Sequence, residues 1–147
     1  MEVQITSQRR IPGLRNQKIN QKLRKVLRDL DLPDAELSVL ITDDVTISEL
    51  NRRYLGKEGP TNVLAFPMDE GSLSGHSSVL GDVVVSVDTA TKESNQSGEP
   101  LERTLLRLLI HGLLHLLGHD HEHSRAKARL MEKEQERLLA LIFADED

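Results

Sequence analysis

A chain of 147 residues is the size of one domain and can bury a core of ordinary proportions. With one Tyr, two Phe and no Trp, the core falls to Leu, Ile, Val and Ala, and stacking of bases on aromatics is not expected as a main binding device. The absence of cysteine excludes disulfides and every cysteine-containing zinc site, and a net charge of −5 speaks mildly against nucleic acid as a partner.

The opening MEVQIT reads as a strand. Asn16–Leu30 is predicted helical, with Ile19, Leu23, Val26, Leu27 and Leu30 on one stripe and the bases on the other. LPDA breaks it, and Leu37–Thr42 follows as a buried strand. Thr46–Leu55 is a short helix, with Thr46 as its N-cap and Glu49 three residues on. GKEGPT ends it, and Val63–Phe66 is a short strand. After the polar loop DEGSLSGHSS comes the clearest strand, Leu80–Val87, then a helix from about Thr89 to Ser94.

Beyond Pro100 the helix running through Leu101–Leu117 is apolar almost all round, as suits an element in the middle of a fold. Gly118 is placed to cap it, and Ser124 to open a last amphipathic helix reaching Phe143. This order suggests a mixed sheet packed with helices, α+β or α/β. We take it as α+β, one domain over residues 1–147, with a four- to five-stranded mixed sheet, a central zincin-like zinc-binding helix and a frayed tail over 143–147.

Charge is unevenly spread. Residues 1–28 hold eight Lys/Arg (Arg9, Arg10, Arg15, Lys18, Lys22, Arg24, Lys25, Arg28) against Glu2 alone, which can give a basic face to an acidic protein. The plainer reading is that Lys18, Lys22 and Lys25 line the wet side of a helix. MEVQITSQRRIPG lacks a signal-type apolar segment and no run reaches the roughly 18 apolar residues of a membrane span, so a cytoplasmic location is expected.

Five of the six histidines fall in HGLLHLLGHDH and the two residues after it. His111 and His115 are one helical turn apart, so one ion can take a nitrogen from each. Gly118 permits a sharp turn, and His121 can return to the same point; three neutral imidazoles suit tetrahedral Zn²⁺ with an open fourth position. A single histidine in an apolar helix is more often a hydrogen-bonded core residue, but two here plus a third past a glycine turn favour metal. His119 and His123 rank below His121, and His76 reads as a surface residue.

Zinc peptidases place a glutamate directly after the first histidine, and Gly112 stands there instead. Amide cleavage needs that proton shuttle because an amine anion leaves poorly. A phosphodiester expels an alkoxide that a metal stabilises directly, which tilts the expectation towards phosphate esters. Asp120, Glu122 or Asp82 remain as bases from elsewhere.

HGLLHLLGHDH closely resembles the His-Gly-x-Leu-His-Leu-x-Gly-Tyr-Asp-His signature of the YbeY family of bacterial single-strand-specific metallo-endoribonucleases. ELNRRYLGKEGPTNVLAFP (Glu49–Pro67) and LGDVVVS (Leu80–Ser86) resemble two further segments of that family, in order. The resemblance implies one zinc ion on His111, His115 and His121. It also implies cleavage of single-stranded RNA near the 3′ end of small-subunit ribosomal RNA, and a part in ribosome quality control. The partners implied are the small ribosomal subunit, one of its proteins and an assembly GTPase.

Three positions depart from the pattern. Leu55 replaces the arginine after Tyr54 that holds substrate phosphate, so Arg52, one turn back, is the replacement expected, against a plain solvated role. His119 replaces a tyrosine and Ala65 a serine. Basic side chains from 9–28 and 52–57 are expected to guide the RNA backbone. Two rivals stand: a metallohydrolase of another bond (peptidase or amidase), and a non-enzymatic, zinc-stabilised ribosome-assembly factor.

Overall fold

The computed structural model describes residues 1–68, 78–119 and 124–144. Four strands, β1 (Glu2–Ser7), β2 (Glu36–Thr42), β3 (Val63–Pro67) and β4 (Val79–Ser86), form one sheet in the order β1-β2-β4-β3. β1, β2 and β4 run parallel and β3 pairs antiparallel with β4, so the sheet is mixed as expected. Among the described residues five helices pack around it: α1 (Asn16–Asp29), α2 (Asp44–Leu55), α3 (Val87–Ser97), α4 (Leu101–Leu116) and α5 (Arg125–Phe143).

Strand periodicity divides the sheet into two faces. Val3, Leu37, Val39, Ile41, Val83 and Val85 enter the main core with the apolar stripe of α1 and most of α4. Leu64 and Val84 point the other way and bury Ile47 of α2 in a smaller core. Main-core packing explains why α4 is apolar almost all round: the sheet, α3 and α5 all pack against it. Among the described residues no helix is long and apolar enough to cross a membrane.

Most boundaries differ from the sequence expectation by at most a single residue, and two helices, α2 and α3, differ by more. α2 starts at Asp44, because Asp43 and not Thr46 caps it: the Asp43 carboxylate accepts the Thr46 N–H at 2.8 Å. α3 runs from Val87 to Ser97, since Ser86 ends β4 and caps the helix within one residue. α5 keeps Phe143 inside its last turn, and 145–147, the rest of the expected tail, lie outside the described residues.

The wet-face reading of α1 fails at one position. Lys22 is buried; its ammonium donates to the Ile142 carbonyl at 2.6 Å and lies 4.1 Å from the centre of the Phe143 ring. A cation there meets unpaired carbonyls at the end of α5, which favour positive charge. Lys18 is paired with Glu102 at 3.1 Å and Arg9 with Asp88 at 3.0 Å, so the N-terminal basic excess is partly matched by surface carboxylates of the same chain.

Candidate active site

α4 carries His111 and His115 one turn apart on its half-buried side. Their rings stand edge to face, centroids 4.8 Å apart, and the two Nε2 atoms approach to 3.2 Å. Nitrogens each about 2.0–2.1 Å from one tetrahedral ion stand about 3.3–3.4 Å apart, so this pair fits two corners of a zinc site. Without an ion, the same separation suits an N–H···N bond whose direction follows the tautomer.

His111 is held from behind. Its Nδ1 stands 2.8 Å from Gln135 Oε1 of α5, within hydrogen-bond distance, while its Nε2 faces His115. No sequence signal marked Gln135, which lies 24 positions away and meets His111 only because α5 packs on α4.

The turn after α4 forms as expected. Gly118 takes φ +93°, its N–H donates to His115 O at 3.0 Å, and His119 N–H donates to Leu114 O at 3.0 Å. These two hydrogen bonds close the helix. His121 and His123, with Asp120 and Glu122, lie outside the described residues, as does His76. Among the described residues no group of three or more metal-binding side chains is complete.

A cleft of about 440 Å³ opens in front of the histidine pair, between the end of α2, the loop after it, β3 and α4. Asn51, Leu55, Lys57, Ala65 and both histidines line it. Asn51 is buried and its amide donates to Gly59 O at 3.1 Å, pinning the loop that carries Lys57. Arg52 stays on the exposed flank, where its guanidinium grips Glu49 at 2.6 Å. Among the described residues, the Lys/Arg side chain that lines the cleft is Lys57.

Gly112 also borders the cleft, but its missing side chain faces the sheet. A Cβ there would stand 2.6 Å from Val83 Cγ1 and 3.2 Å from Val63 Cγ2. A glutamate at this position has no room unless α4 moves off the sheet. Asp82 is no substitute base: it pairs across strands with Phe66 and shares the α2 side, while its neighbours Val83 and Val85 face α4.

Likeness to known proteins follows the geometry. The sequence pattern described as Endoribonuclease YbeY matches residues 3–142. An Endoribonuclease YbeY of Syntrophotalea carbinolica is 44% identical, covering 88% of this chain and 93% of its own. One from Geobacter sulfurreducens is 42% identical over 97% and 96%. The solution structure of a Thermotoga maritima protein superposes with a TM-score of 0.71 at 24% identity, covering 97% of this chain and 90% of its own, a likeness of fold. Fold and cleft define a single-domain α+β protein whose histidine pair rides on one buried helix. The chain belongs to the endoribonuclease YbeY family.

Proposed function

We propose that this chain is a zinc-dependent endoribonuclease that cuts single-stranded RNA during ribosomal RNA maturation. His111 and His115 hold the ion, with His121 as third ligand. The observation that carries this reading is the 3.2 Å approach of the two Nε2 atoms beside an open cleft. Bound there, zinc supplies Lewis acidity to a scissile phosphodiester.

The chain's own groups handle the rest of the substrate. Lys57 meets a phosphate at the cleft as a point charge, the part Leu55 cannot play. Tyr54 is 60% exposed beside cleft-lining Leu55 and meets the partly buried Phe66 edge to face at 5.4 Å. The Tyr54 ring adds one stacking face for an unpaired base, a minor device beside the phosphate contacts, which a duplex, with its bases already stacked, cannot use. The packing of Gly112 on Val83 weighs against a peptidase, because it removes the position of the usual proton shuttle. Work on ribosomes, including quality control with a small-subunit protein and an assembly GTPase, and residence in the cytoplasm belong to the same reading.

The test is metal analysis of the purified protein together with cleavage of a single-stranded RNA, its duplex and casein. Single-strand cutting that stops with chelator and returns with zinc supports the reading. Full cutting after verified metal removal ends it. A His121→Ala chain that unfolds instead of losing activity first points to a structural ion.

A further inference from the structure

We propose that Gln135 is a positioning residue that fixes the tautomer of His111 and thereby its readiness to bind metal. Neutral imidazole has one N–H to give. Here it is spent on Gln135 Oε1 at 2.8 Å, so the lone pair must sit on Nε2, the atom 3.2 Å from His115 Nε2.

The direction of the amide is itself determined. Gln135 Nε2 donates to Glu136 Oε2 at 3.4 Å, and that carboxylate is gripped by Arg107 of α4, which Glu99 holds in turn. An ionised carboxylate accepts and never donates, so it can face only the NH₂ end of the amide. The carbonyl end is thereby turned towards His111. Arg107 and His111 lie one turn apart on α4, and Gln135 and Glu136 are neighbours on α5. The docking of α5 on α4 thus translates an ion pair into a ring orientation. Because the amide is neutral, it sets the ring without adding charge beside the cleft.

The tautomer claim stands on the zinc-free protein; its consequence for zinc rests on the function proposed above. Long-range ¹⁵N–¹H spectra of the zinc-free chain, taken where histidine is neutral, read the tautomer directly. The wild type is expected to show His111 with its proton on Nδ1. Gln135→Leu, of similar size but without an acceptor, is expected to move it to Nε2 and to weaken zinc about 10–100-fold in competition with a chromophoric chelator. Gln135→Glu, which restores an acceptor, is expected to return the Nδ1 proton.

Glu136→Gln guards against a folding artefact, since it keeps Gln135 while weakening the Arg107 pair and freeing the amide's direction; urea unfolding of this variant checks that the fold is kept. A mixed tautomer there supports the chain of contacts. A wild-type proton on Nε2, or a Gln135→Leu chain with unchanged tautomer, overturns the proposal. A Gln135→Leu chain whose tautomer moves while wild type binds no zinc leaves the positioning role intact and removes the metal reading instead.

Discussion

Gly112 and Val83 meet so closely that the smallest side chain at 112 would place its Cβ 2.6 Å from Val83 Cγ1. Helix α4 therefore rests on the sheet through a glycine next to the histidine that faces the cleft. Gly112→Ala gains helix propensity of about 1 kcal/mol but overpacks a site where such strain costs about 1–3 kcal/mol. A net loss in urea unfolding is expected. Val83→Ala should relieve part of it, so the double variant should fall short of the sum of the two singles. Additive losses would show that the contact is not the cause.

Lys22 is expected to serve stability and not RNA. Lys22→Met keeps the stem but leaves Ile142 O without its charged donor. Hydrogen bonds to charged groups are worth roughly 1.5–3 kcal/mol, and a loss on that scale is expected in thermal or urea unfolding. Affinity for single-stranded RNA, measured on the folded variant, should not move. A fall in affinity without a fall in stability would return Lys22 to the basic surface.

The two cations near the cleft should separate under mutation. Lys57→Ala is expected to weaken single-stranded RNA binding and lower the salt slope by about one ion. Arg52→Ala, which removes an exposed pair with Glu49, is expected to change binding little, because surface pairs contribute weakly and this guanidinium is turned along its own helix. Fluorescence anisotropy across a salt series checks both. The reverse order of effects would make Arg52 the phosphate contact.

Acid should loosen the protein from several carboxylates at once. Burial pushes the Asp44 carboxyl up, but hydrogen bonds from Ser86 and Thr89 and the nearby Lys92 ammonium outweigh it, so it titrates below its ordinary value. Glu99 is lowered in the same way against its burial, by Arg107 and Thr104. Glu134 is lowered chiefly by the hydrogen bond from Arg137. Each folded carboxyl takes its proton later than the unfolded one, so their contribution is full above the ordinary range near pH 4 and drains as pH falls below it. Urea midpoints should drop steeply from pH 6 to pH 3. In Asp44→Asn the drop should be shallower, starting from a lower midpoint at pH 6. An unchanged slope would remove Asp44 from the account.

Much of this protein is written along the chain. Turn residues and the periods of 2 and 3.6 are local, so the order of strands and helices, the buried α4, the Gly118 turn and the Ser124 cap could be read before any contact was known. The spacing of His111 and His115 likewise puts two rings on one face wherever the helix lies. Other features depend on which elements meet. Lys22 reads as a wet-face base until the end of α5 arrives above it. Asp82 reads as a spare base until β3 and β4 pair and turn it to the far side of the sheet. Gln135 reads as one more polar residue of an amphipathic helix until α5 docks and His111 finds it. A pattern along one helix fixes which of its residues share a face, whereas the neighbour that face receives is chosen by the packing of the whole chain.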